Sequence, residues 1–96
     1  MVWRVTNYLH PSPESHCRVC GYEDTDLPYG EDGKTPSFNF CPCCGVEHGY
    51  QDCEPIAARK YREAWIQSGA KWELAAEKPE EWILQEQLKN IPKAYR

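Results

Sequence analysis

Two Cys-x-x-Cys-Gly units constrain this 96-residue chain more than any other feature: Cys17-Arg18-Val19-Cys20-Gly21 and Cys41-Pro42-Cys43-Cys44-Gly45, with 20 residues between Cys20 and Cys41. Two residues between thiols allow a tight turn that aims both sulfurs at one point. The glycine that follows is free to take positive φ and lets backbone amides approach the sulfurs. Those amides offset part of the thiolate charge. Two such turns facing each other make a closed tetrahedral site of four cysteines, the ligand set of a structural zinc ion. The expected metal ligands are therefore Cys17, Cys20, Cys41 and Cys44. The competing reading is two unrelated thiol pairs, free or disulfide-bonded, and the shared trailing glycine argues against it. A thioredoxin-like redox pair needs a helix starting at the motif. Here the chain runs on into Gly45 and Gly49 instead.

A crosslink of this kind suits the composition. Leu, Ile, Val and Phe number only 15, a share at which charged chains begin to lose a stable core. Four Trp and six Tyr make up part of the deficit. Mean hydropathy is -0.79, and no apolar run approaches the ~20 residues of a membrane span. The first residues lack the apolar stretch of a secretory signal. A cytoplasmic protein is expected, and in a reducing compartment six cysteines read as metal ligands before disulfides.

Charge is unevenly spread. Residues 1–54 carry three Lys or Arg against nine Asp or Glu, and residues 55–96 carry eight against six. An acidic metal-binding half is a poor footprint for nucleic acid, whose phosphates need cations. A protein partner, or pairing between the halves, fits better. Glu23, Asp24, Asp26, Glu31 and Asp32 lack the spacing of a calcium loop and read as solvated charge. Arg59, Lys60 and Arg62 read as a solvated helix face.

Two short strands are expected, one at Trp3–Val5 and one carrying Phe38 and Phe40 into Cys41. Pro55 suits the first turn of a helix whose inner face is Ala57, Tyr61, Ala64, Trp65 and Ser68, with Gly69 as its stop. A second helix is expected to open at Pro79, with Leu84, Leu88 and Ile91 inward and Pro92 at its end. Residues 70–78 fit either extended or helical structure. Cys43 falls at the turn position that Val19 holds in the other unit, where it either packs or faces solvent. Cys53 is either a small buried side chain or a spare thiol. His16 and His48 are alternative ligands only if a cysteine drops out. Trp65 and Trp82 are expected to cover the metal half, with Trp3 or Trp72 left exposed. No nucleophile–base pair stands out, and a closed set of four thiolates leaves no position for a reactive water. A non-enzymatic protein follows.

The motifs also resemble two known groups. Cys17-Arg18-Val19-Cys20-Gly21-Tyr22, Cys41-Pro42-Cys43-Cys44-Gly45 and the stretch Gly30-Glu31-Asp32-Gly33-Lys34-Thr35-Pro36-Ser37-Phe38 resemble the bacterial cysteine-rich CPCC proteins. So do Tyr61-Arg62, Trp65, Gly69-Ala70-Lys71-Trp72 and Lys78-Pro79-Glu80-Glu81-Trp82. That resemblance covers about residues 17–91, implies a small zinc ribbon and carries no activity. The knuckles are similar to those of rubredoxin too, which implies a redox-active iron on the same four sulfurs. The chain departs from rubredoxin in a shorter inter-knuckle segment and a helical tail of about 40 residues. The combined expectation is a small metal-bound α+β domain. Residues 1–54 would form a two-knuckle β core of zinc-ribbon or rubredoxin type, and residues 55–96 a helical extension packed on it. Zinc is the expected ion and a structural, protein-interaction role the expected function, with iron-based electron transfer as the alternative.

Overall fold

A computed structural model describes residues 15–96. Each Cys-x-x-Cys-Gly unit folds as a knuckle, and the two knuckles share one hydrogen-bond pattern. In the first, the Cys17 amide donates to the Tyr22 carbonyl at 2.9 Å and the Gly21 amide to the Cys17 carbonyl at 3.0 Å. In the second, Cys41 donates to Val46 at 2.8 Å and Gly45 to Cys41 at 2.9 Å. The glycines close the turns at φ of 83° and 81°, a region that side chains with a Cβ enter only at a cost.

The β core expected from the sequence is not formed. Among the described residues no strand is present, only two isolated antiparallel bridges, His16 with Glu23 and Phe40 with Glu47, one flanking each knuckle. The zinc-ribbon and rubredoxin-like descriptions of the fold therefore fail. Local turns satisfy the backbone between the knuckles instead. Gly30 donates to Leu27, Gly33 to Gly30, Thr35 to Tyr29 and Ser37 to Pro28. The expected strand through Phe38 is broken because Phe38 itself sits at φ 61°. The strand expected at Trp3–Val5 lies outside the described residues.

Two α-helices follow, α1 (Pro55–Gln67) and α2 (Leu84–Leu88), with 3-10 turns at Ala75–Glu77 and Lys93–Tyr95. Pro55 occupies the first turn of α1, where its missing N–H costs nothing. Gly69 at φ 107° ends the helix, and the Gly69 and Ala70 amides reach back to the Ile66 and Trp65 carbonyls. The buried stripe of α1 is Ala58 and Trp65, a slight rotation from the expected face that leaves Ala64 and Ser68 exposed. Helix α2 is shorter than expected, since Pro79–Ile83 stays outside it, yet Leu84 and Leu88 are half-buried and Ile91 buried. No helix among the described residues is long and apolar enough to cross a membrane.

The later segments bind the knuckles through their backbone carbonyls. Arg62 was expected on a solvated face. It is half-buried instead, and its guanidinium donates to the carbonyls of Val19 at 2.6 Å, Arg18 at 3.0 Å and Tyr95. Residues 73 and 74 bend against the second knuckle, with the Glu73 amide donating to the Cys43 carbonyl and that of Leu74 to the Pro42 carbonyl, both at 2.9 Å. Gln87 donates to the Cys20 carbonyl at 3.1 Å. Trp72 was a candidate for exposure. It is 9% exposed, held edge-to-face between Tyr22 and Trp82.

The two knuckle glycines separate backbone strain from steric contact. A Cβ at position 21 would lie 2.2 Å from the Gln87 carbonyl oxygen, part of the α2 backbone. At position 45 it would lie 2.8 Å from Glu73 Oε1, the free end of a flexible side chain. Gly45→Ala is expected to cost about 1–2 kcal/mol from φ alone. Gly21→Ala adds displacement of α2, for a total of roughly 3 kcal/mol or more. Denaturant unfolding of the two variants checks this; equal losses would contradict the packing of α2 on the first knuckle.

Candidate metal centre

The knuckles bring their four cysteines face to face. The sulfurs of Cys17, Cys20, Cys41 and Cys44 all lie within 4.8 Å of one another, and all four residues are buried. Cys17 Sγ is 3.7 Å from Cys44 Sγ, and Cys20 Sγ is 3.6 Å from Cys41 Sγ. Both short contacts run between knuckles. A tetrahedral ion with bonds of ~2.3 Å to sulfur has edges of about 3.8 Å, so the spacing fits one ion. It does not fit S–S bonding, and all six cysteines are free. The Val19 amide donates to Cys17 Sγ at 3.4 Å, the contact that the tight turn is built to make.

The electrostatics agree with the geometry. Burial pushes the Cys20 and Cys44 thiols well above the usual range. Hydrogen bonds from the Cys17, Cys20 and Cys44 thiols hold Cys41 far below it. Left to themselves, four buried thiols so close together do not all ionise. A dication among them removes that penalty, and thiolates are the form that binds metal.

The remaining thiols and imidazoles stay outside this set. Cys43 is fully buried, packing at the position of Val19, and Gln87 Nε2 donates to its sulfur at 3.3 Å. Cys53 is exposed. His16 is half-buried beside Ser15, and His48 is committed elsewhere.

His48 belongs to a buried network that the sequence reading missed. Its Nδ1 lies 2.8 Å from Asp52 Oδ2, while Asp52 Oδ1 accepts from the Tyr29 hydroxyl and, at 2.9 Å, from the Gly49 amide. The Arg18 guanidinium stacks over the Tyr29 ring, 3.4 Å from its centroid, and donates to the Asp52 and Cys53 carbonyls. This ties the first knuckle to the loop after the second. The one available signal was the i, i+4 spacing of His48 and Asp52. Burial pushes the Asp52 carboxyl up, but the hydrogen bonds from His48, Tyr29 and Gly49 outweigh it and hold the group below its usual range. A carboxyl depressed on folding stabilises fully above its unfolded value of ~3.9 and loses that contribution as pH falls through the folded value. Asp52→Asn is therefore expected to cost about 1–3 kcal/mol at neutral pH. Urea unfolding should show the gap to wild type narrowing only below about pH 4. Closure of the gap between pH 7 and 5 would contradict this assignment.

No family model and no solved structure matches the chain. Over 91 aligned residues it is 33% identical to the uncharacterized protein YoaQ of Bacillus subtilis (strain 168), an alignment covering 77% of this chain and 70% of that protein. With that identity over most of both lengths, the chain belongs to the same family as YoaQ.

Proposed function

We propose that this chain is a non-enzymatic metal-binding protein in which Cys17, Cys20, Cys41 and Cys44 hold one zinc ion that braces the fold, and that it works in the cytoplasm by binding another protein. The observation that carries the reading is the set of four buried sulfurs within 4.8 Å. Four thiolates complete a tetrahedron, which leaves the ion no open position at which to activate water or substrate. The ion's role is then mechanical. It joins two knuckles that no sheet among the described residues connects, in a chain with few large aliphatic side chains. The acidic balance of residues 1–54 favours a protein partner over nucleic acid.

Structural zinc contributes on the order of 10–16 kcal/mol of apparent free energy in small domains. Elemental analysis of protein purified from its own organism is expected to find one zinc per chain, colourless, with far-ultraviolet circular dichroism that collapses on chelation at pH 7. Serine at any of positions 17, 20, 41 or 44 should abolish stoichiometric binding, whereas Cys43→Ser and Cys53→Ser should retain it. A red protein containing iron that bleaches on reduction would replace zinc by the electron-transfer alternative, since the same thiolates accept either metal. An unchanged fold after complete metal removal would overturn the reading.

A further inference from the structure

A groove of about 510 Å³ opens beside the first knuckle, between it and α2. Three aromatic rings line it, Tyr22, Trp72 and Trp82. Tyr22 and Trp72 meet at 90° and Trp72 and Trp82 at 84°, each pair with centroids 5.5 Å apart. Rings set at right angles pack edge to face, and a ring face left open to the groove carries the negative end of the aromatic quadrupole. Such a face attracts cations. The chain already demonstrates this at Trp82, where the Lys78 ammonium sits 5.2 Å from the ring centroid.

The charge around the groove has the matching sign. Glu23 and Glu86 line it against a single cation, Lys89. Lys89 and Glu86 pair at 3.2 Å, both well exposed, so among the described residues Glu23 is the carboxylate of the lining without an ion pair. Asp24 and Glu77 lie near the Tyr22 hydroxyl. The groove is open to solvent. A free small cation would remain half-hydrated there, whereas a side chain delivered on a polypeptide can lay its backbone along the open side.

We propose that this groove binds the side-chain cation of a lysine or arginine presented by a partner protein. The inference deepens the protein-interaction reading above and rests on it. The groove is also tied to the knuckles by hydrogen bonds. Trp82 Nε1 donates to Gln87 Oε1 at 2.8 Å, and Gln87 Nε2 donates in turn to the Cys20 carbonyl and Cys43 Sγ. One side chain thus joins an aromatic wall of the groove to both knuckles.

Titration of the zinc-loaded full chain with N-acetyl-lysine methylamide and N-acetyl-arginine methylamide tests the proposal, followed by NMR at the indole N–H signals. Saturable shifts at Trp72 and Trp82, but not Trp65, are expected. The neutral isostere N-acetyl-norleucine methylamide should bind about tenfold more weakly. Glu23→Gln should weaken lysine binding about two- to fivefold with zinc content unchanged, and Glu80→Gln, outside the groove lining, should bind as wild type. Equal binding of the norleucine compound would make the groove an apolar docking site and overturn the proposal. So would unshifted indole signals, or wild-type affinity in Glu23→Gln. A chain that takes up no metal yet binds the lysine compound would refute the metal reading and uphold this one. A zinc-loaded chain that binds neither cation would do the reverse.

Discussion

The structure depends on four sulfurs placed within one coordination sphere in the protein interior. Thiols so close together and so deeply buried resist ionising as a set, and no disulfide joins them. Around them lies a small core. Val19 and Val46 of the knuckles, Ala58 and Trp65 of α1, and Trp72 of the following segment are all buried. Among the described residues this is little apolar surface for a domain, and the knuckles exchange no strand pairing that could stand in for it. An ion at the centre of the sulfurs would supply the cross-brace that hydrophobic burial and backbone pairing do not.

The rest of the molecule is hung on the knuckle carbonyls. Val19 and Cys43 hold the same position in the two turns, and both side chains are fully buried. Their carbonyl oxygens accept bonds from the later half of the chain, Arg62 Nε on Val19 and the Glu73 amide on Cys43. Gln87 makes a third such contact at Cys20. Gly21 lets α2 approach closely enough for it. Loss of the ion would therefore release α1, the 72–74 segment and α2 as well as the knuckles.

What the sequence revealed and what it hid follow from the range of the interactions involved. The cysteine set was legible because its signal is local: two residues between thiols and a glycine after them. The start of α1 at Pro55 and its end at Gly69 were legible for the same reason. The strand through Phe38 was not. Alternation of Phe38 and Phe40 with polar neighbours has the period of a strand, but the turns around Gly30 and Gly33 satisfy the backbone locally and Phe38 sits at φ 61°, so pairing shrinks to the single bridge of Phe40 with Glu47. Arg62 looked like a surface charge because three carbonyls distant in sequence receive it, two of them in the first knuckle. Trp72 was misplaced because Tyr22 and Trp82, which bury it, come from opposite ends of the described chain. The Tyr29–Asp52–His48 network likewise needs the loop between the knuckles to fold back on the loop after them.

The central claim is that the four sulfurs share one ion, and X-ray absorption at the metal edge of the protein from its own organism tests it most directly. The account predicts one metal per chain in a single shell of four sulfurs at about 2.3 Å, with no nitrogen or oxygen neighbour. A shell containing nitrogen or oxygen, fewer than four sulfurs, or a substoichiometric metal with the fold intact would contradict it.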